Sequence, residues 1–551
     1  MSADDAPYYD LGNFHRGVTT SDASAQLWFD RGLVWSYGFN HEEAVRCFEL
    51  AISHDEACSM AHWGLAYALG PNYNKPWSLL GGDERATVVA RTHRAVVLAE
   101  RHASTDLERA LAGALRRRYP EPTGGDFSSW NVEYADAMAG VSASYPDDPD
   151  VSALYADAMM NLTPWALWDL RTGEPAPGAR TLEIERVLGR ALSLDGGSRH
   201  PGLLHLYIHL MEMSARPEAA LPAADRLRDL VPDAGHLRHM PSHIDVLVGD
   251  YAAAVEANSR AVAADEAFLR RRGPRNFYTL YRAHDYHFRL YGAMFSGQSA
   301  VALDTVARLE ETVTDDVLRI RSPPMADWLE AFLAMRVHAL IRFGRWRDIL
   351  DRIQPPPDRD LYCVTTAASH YARAMAHAAL GEVADAEDQR RLFRSALARV
   401  KPSRTLFNNS CSDILAVAAA LLDGEVEYRR ASYEAAFEHL RESIRRYDAL
   451  PYDEPWGWMQ PARHAYGALL LEQGHVDDAL AVYAADLGFD GSLPRAHQHP
   501  NNVWALHGYH ECLVRLGRER EAGEIKPKLD AALEVADVPI RSSCFCRRGV
   551  D

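Results

Sequence analysis

Helix-length segments, broken at short intervals by Gly, Pro or Asp, run through the chain from Gln26 onward, and this rhythm constrains the fold more than any other feature. The segments are rich in Ala and Leu, and their apolar positions recur at helical spacing. No sustained alternation of apolar and polar residues argues for a sheet. The segments also pair off. Leu27 to Trp35 is followed by Ala44, Phe48 and Ala51, and a further segment opens at Ala61-His62-Trp63-Gly64-Leu65-Ala66-Tyr67. Near the other end, His464-Ala465-Tyr466-Gly467 turns at Gly474 and continues to Ala479 and Tyr483, and Trp504 to Gly508 turns at Gly517. Met335 to Ile353 and His370 to Gln389 turn at Gly344 and Gly381. Two antiparallel helices that cross closely need small residues where they meet, and each pair supplies them beside an aromatic.

These are the small and aromatic positions of a tetratricopeptide unit, a two-helix hairpin that buries its apolar face only by stacking on its neighbours. The expected fold is therefore all-α: a tetratricopeptide-like helical-hairpin superhelix with a concave central groove. A chain of 551 residues is too long for one ordinary core, which suits a stacked array. The expected organisation is an N-terminal segment at 1–25, N-terminal repeats with a His-rich groove at 26–355, C-terminal repeats at 356–535 and a tail at 536–551 carrying Cys544 and Cys546. The stiff turn Gln354-Pro355-Pro356-Pro357 marks the main break.

Composition narrows the function. A net charge of −18 without a basic cluster is a poor balance for gripping phosphate backbones, so no nucleic-acid partner is expected. No run approaches the roughly eighteen apolar residues of a membrane span, and Met1 to Asp5 lacks the basic and apolar regions of a secretory signal. Seven scattered cysteines do not suggest a disulfide framework, and a cytoplasmic protein is expected.

The 24 histidines carry the strongest chemical signal, and their register matters more than their number. His205 and His209 stand four apart, as do His239 and His243 thirty-four residues later, which is the tetratricopeptide period. Ala220 and Leu227 shift by the same interval to Ala254 and Ala261. A third unit maps Gly249 and Ala254 onto Gly297 and Ala302, and the same offset carries His236 onto His284 and His239 onto His287. His464 occupies the early first-helix position in the C-terminal array. Residues at i, i+4 and i+7 share one helical face, so His205, His209 and Glu212 point the same way. Two imidazoles a turn apart can bind one ion, and a carboxylate a turn further on can complete or orient the set. His205, His209, His239, His243 and His287, with His284 and His236, are the expected metal ligands, and Glu212 is a ligand or general base. Pro241 strains this register. If a helix begins there, His236 and His239 fall on the preceding turn and the equivalence with His205 loosens.

Other features are less specific. The loop Pro71 to Trp77, with Asn72, could cap the groove, although turn chemistry explains it equally well. Trp165 could wall a pocket or simply pack. Asp285 could orient an imidazole from outside the ligand set. Cys544 and Cys546 could hold a soft metal. Nucleotide-binding and nucleophile-elbow motifs are absent from the sequence.

The string Gly235 to Ile244 resembles a family of bacterial tetratricopeptide proteins related to the eukaryotic tetratricopeptide repeat protein 38 type. So do His200-Pro201-Gly202 with Tyr207-Ile208-His209, Asn40 to Ala44, Tyr67 to Asn72, Trp168-Asp169-Leu170, Pro451 to Pro455 and Arg463-His464. The resemblance runs from about residue 25 to 520 and implies an all-helical superhelix, with little about activity. The chain departs from the family at His507 and adds His497, His499, His510 and the two-cysteine tail.

Two functions remain. One is a metal-dependent, oxidative enzyme acting on a small molecule or peptide in the His-lined groove, with iron or copper suiting imidazole ligation best and zinc or manganese as alternatives. The other is a non-catalytic scaffold whose groove holds a peptide or partner protein. A scaffold does not need five imidazoles at one level.

Overall fold

The computed structural model describes residues 8–548, so the first seven residues of the N-terminal segment and the last three of the tail lie outside the described residues. The chain forms two compact units: unit 1 is Met1–Ile244 with Arg260–Tyr278, and unit 2 is Asp245–Ser259 with Thr279–Asp551. The triple-proline turn lies within unit 2.

Unit 1 is built from consecutive helices that pack in antiparallel pairs, Ala23–Tyr37 with His41–His54, Ser59–Leu69 with Gly82–His102, and Asp106–Arg118 with Phe127–Ser144. Pro149–Met160 and Thr181–Leu192 follow, and Pro201–Glu212 packs against both. Local chemistry sets the boundaries. Thr105 and Glu108 form a reciprocal capping box, and Asp148 caps a helix whose first residue is Pro149.

Unit 2 repeats the scheme with Cys363–Leu380 and Val383–Leu397, Cys411–Arg429 and Tyr433–Asp448, Ala462–Glu472 and Val476–Asp486, and Val503–Arg515 and Glu519–Val535. The one sheet among the described residues is a two-stranded antiparallel ribbon, Thr405–Leu406 against Asn409–Ser410.

The hairpins are tetratricopeptide-like in how they are filled. Phe48, from a second helix, lies in a slot between Gly32 and Gly64 of the flanking first helices. A Cβ on Gly32 would stand 2.7 Å from its ring, and one on Gly64 2.3 Å. In unit 2 Tyr483 fills the same slot between Gly467 and Gly508, where added Cβ atoms would stand 2.5 and 2.4 Å from its Cζ. An aromatic on one helix thus requires glycine on the two it touches, and the sequence pattern records that requirement. No helix among the described residues is long and apolar enough to cross a membrane.

Five of the seven cysteines are free and buried, while Cys544 and Cys546 are joined in a disulfide. Count and scatter could not foretell a bridge that spans only two residues.

Candidate metal centre

The centre in unit 1 begins with a close approach of two helices. A Cβ on Gly202 would stand 2.5 Å from the Tyr37 ring, so only glycine lets Pro201–Glu212 come this near the end of Ala23–Tyr37. His200 caps that helix, accepting from Leu203 N–H at 3.1 Å, and its other ring nitrogen meets Asp150 at 3.0 Å. The His200-Pro201-Gly202 string is thus a device for helix start and approach. Its consequence lies one turn on, where His205 Nδ1 meets the Tyr37 carbonyl at 2.5 Å. A carbonyl only accepts, so Nδ1 carries the proton and Nε2 presents a bare lone pair.

Glu212 does the same for two more rings. Its Oε1 accepts from His209 Nδ1 at 2.9 Å and its Oε2 from His243 Nδ1 at 2.6 Å. Both imidazoles therefore also keep their proton on Nδ1 and leave Nε2 as an acceptor. Burial pushes the Glu212 carboxyl upward, but His209 and His243 outweigh it and hold the group below its usual range. Burial lowers His209 against the opposing pull of Glu212, and burial, helped by the His209 ring, holds His205 well below its ordinary value. Burial thus favours the neutral form of His205 and His209 beside an ionised Glu212, and neutral imidazole is the form that binds metal.

The ring nitrogens converge. The donor atoms of His205, His209 and His236 all lie within 4.8 Å of one another. His205 Nε2 and His236 Nε2 are 3.2 Å apart, close to the roughly 3.3 Å expected for two nitrogens on one tetrahedral ion with bonds of about 2.0–2.1 Å. His209 Nε2 is fully buried and has no hydrogen-bond partner among the described residues. Beside them, His239 Nε2 and His243 Nε2 stand 2.7 Å apart. The rings of His236 and His239, and of His209 and His243, have centroids 5.7 Å apart, so five imidazoles and one carboxylate form one cluster.

The pairing differs from simple register in one respect. The chain forms Gly235–His239 and then Pro241–Val248, because Pro241 has no N–H with which to continue the first helix. His236 and His239 therefore sit on the preceding turn, and His236 rather than His239 joins His205 and His209. Gly235 permits this turn: a Cβ there would stand 1.9 Å from Asp265 Oδ1, and the Tyr278 hydroxyl, which donates to Asp265 at 2.9 Å, lies 3.1 Å from His236 N.

Aromatic side chains wall the cluster; the sequence signalled Trp165 and the loop that carries Tyr73, but not Phe39. The Phe39 ring packs on His205 at 4.4 Å, and on His209 and His236 at 5.8 and 5.7 Å between centroids. Tyr73 lies 5.1 Å and Trp165 5.7 Å from His209, and the two stack on each other at 5.3 Å. Phe39 and Trp165 both sit at left-handed φ, +53° and +58°. That conformation costs a bulky residue of order 1–3 kcal/mol and is held by its surroundings, here around one imidazole. Asn72 contributes indirectly. Its Oδ1 accepts from Asn74 and Lys75 N–H at 2.9 and 2.8 Å and so shapes the turn that carries Tyr73.

The remaining candidates lie in unit 2. His284 is edge-on to Phe407 at 4.8 Å, and Phe407 is also at left-handed φ, +48°. His287 is fully buried with Nε2 2.8 Å from Met459 Sδ, and Asp285 is fully buried between them in sequence. His464 belongs to a separate network: Arg342 Nη1 donates to its Nδ1 at 2.9 Å, and its Nε2 donates to Asp486 at 2.9 Å. Asp486 also takes His499 Nδ1 at 2.9 Å and Asn502 Nδ2 at 3.0 Å. His497 packs edge-on to Trp456 at 4.7 Å, and His507 and His510 are half-buried on Val503–Arg515.

No family model matches the chain, and no curated protein is similar to it. Among solved structures it is similar to the APC/C hetero-tetramer Cut9–Hcn1, with 13% identity, a TM-score of 0.31, and coverage of 87% of this chain and 77% of that one. It is also similar to yeast Tom70, with 10% identity, a TM-score of 0.32, and coverage of 93% and 100%. A monomeric IFIT1 mutant with Gppp-AAAA gives 9% identity, a TM-score of 0.35, and coverage of 92% and 96%.

Proposed function

We propose that unit 1 holds a transition metal at His205, His209 and His236, flanked by His239 and His243, and that the chain is a metal-dependent enzyme of oxidative type acting on a small molecule or peptide. The observation that carries this reading is His209 Nε2. It is a buried lone pair without a partner, its proton fixed on the opposite nitrogen by Glu212, beside two further imidazole nitrogens within 4.8 Å. Imidazole-dominated ligation favours iron or copper, with zinc or manganese as the alternatives. Glu212 acts in this reading as a positioning residue: both its oxygens are taken by imidazole N–H groups, and it orients ligands as carboxylates behind metal-bound histidines do. The aromatic wall of Phe39, Tyr73 and Trp165 would exclude water from the ion and offer a substrate an apolar contact. The resemblance to the tetratricopeptide repeat protein 38 type belongs to the same reading, since its most specific string, Gly235 to Ile244, carries three of the five imidazoles.

Elemental analysis of protein purified without a chelating tag tests this. Stoichiometric iron or copper is expected, and a folded His209→Ala/His243→Ala variant should lose it. If the wild-type chain neither carries metal nor takes it up after chelation and reconstitution, the reading fails and the scaffold function replaces it.

A further inference from the structure

The tail of unit 2 carries a chemistry separate from the imidazoles. Residues 542–548 fold back onto five helices. Arg342 donates to the Ser543 carbonyl and Arg429 to the Cys546 carbonyl, Arg342 being buried and the Arg429 side chain 4% exposed. Ser543 Oγ donates to the His464 carbonyl at 2.7 Å. Arg547 grips Glu511 at 2.7 and 2.9 Å, and Arg548 reaches the carbonyls of Ala378 and Ala379, at the end of Cys363–Leu380. Phe545 packs on Gly344, where a Cβ would meet its ring at 2.7 Å, and on Trp504. In the middle of this plug sits the disulfide Cys544–Cys546.

The two sulfurs differ in access. Cys546 is 1% exposed, whereas Cys544 is half-buried and its Sγ accepts from Cys546 N–H at 3.1 Å. The other five cysteines are all buried, and burial pushes the thiols of Cys47 and Cys512 up to about 12. A thiolate from solution therefore has one sulfur to reach, with a buried partner as the leaving group.

We propose that Cys544–Cys546 is a thiol-exchange site that accepts two electrons from a dithiol. The attacking thiolate bonds to Cys544 Sγ as the S–S bond breaks, and Cys546 leaves as a thiolate and takes up a proton. The second thiol of the reductant, deprotonated, then displaces Cys544 from the mixed disulfide, which leaves two protein thiols and an oxidised dithiol. Reduction opens the loop that presents the Ser543 and Cys546 carbonyls to Arg342 and Arg429, and so loosens the plug.

The test equilibrates the full chain in mixtures of reduced and oxidised dithiothreitol without denaturant, then acid-quenches it, alkylates it and reads the labels by mass spectrometry. Labels should appear on Cys544 and Cys546 together, reverse on return to the oxidised reagent, and spare the other five cysteines. Trypsin cleavage after Arg547 should quicken by about tenfold in the reduced form, the order expected for opening so short a cross-linked loop. Cys544 in a Cys546→Ser variant should alkylate faster than Cys546 in a Cys544→Ser variant. The proposal is overturned if the pair resists reduction, if both residues label without reductant, or if all seven cysteines label at once.

Discussion

Replacing Glu212 by glutamine is expected to destabilise unit 1 by about 3 kcal/mol and to weaken metal uptake 10–100-fold. The carboxylate is fully buried and both oxygens accept imidazole protons, from His209 at 2.9 Å and His243 at 2.6 Å. Glutamine keeps the shape but offers one oxygen, so one imidazole N–H would face an amide N–H in a site closed to water. A buried donor left without an acceptor costs about 1–3 kcal/mol, more where the lost partner was charged. The ring that loses its acceptor is also free to move its proton to Nε2, which removes the lone pair a metal needs. Glu212→Ala should be worse still, because it frees both rings. Denaturant unfolding of metal-free protein measures the first effect, and titration with Cu(II) and Fe(II) measures the second. If Glu212→Gln unfolds at the wild-type midpoint and binds equally tightly, the carboxylate does not position these rings.

The second large effect is acid sensitivity. Burial pushes His338 down to about 3 and His464 and His497 down to about 4, the last two against the pull of Asp486 and Asp448 respectively. An unfolded chain protonates these rings at their ordinary value near 6.5. As pH falls through that value the unfolded state gains protons that the folded state refuses, so stability is fully present above about 6.5 and is lost on the way down to about 4. Each ring contributes about 1.4 kcal/mol per pH unit in that window, and the three together about 4 kcal/mol per unit. Two such units remove about 8 kcal/mol, a large share of the 5–15 kcal/mol that a folded protein has in hand. Unfolding free energies measured from pH 7.5 to 4.5 should therefore fall steeply below 6.5, and His338→Phe should reduce the slope by about one proton. A flat profile to pH 4.5 would show that these rings are not held neutral.

Much of the fold is legible in the sequence because its packing requirement is local. Phe48 needs glycine at 32 and 64, Tyr483 needs it at 467 and 508, and each of these residues lies on a helical segment that the sequence pattern marks. The imidazole cluster is legible for the same reason as far as His205, His209 and His243, which sit on regular helix. Beyond that, counting along the chain fails for physical causes. The missing N–H of Pro241 ends one helix and starts another, so His236 takes the place that register assigns to His239. Phe39 and Trp165 reach His209 from left-handed backbone that no propensity suggests. Tyr73 arrives on a turn built by Asn72, and turn chemistry alone could not separate a loop that caps the groove from one that only turns. Glu212 shows the reverse case. Its spacing placed it on the right face, but only the positions of His209 and His243 reveal that both its oxygens are taken.

The central claim is that one ion sits among His205, His209 and His236. Anomalous diffraction at the absorption edge of the metal found by elemental analysis tests it most directly. A single strong peak is expected roughly 2.0–2.2 Å from the Nε2 atoms of these three histidines. A metal-loaded crystal with no peak there, or with its peak on other residues, would contradict it.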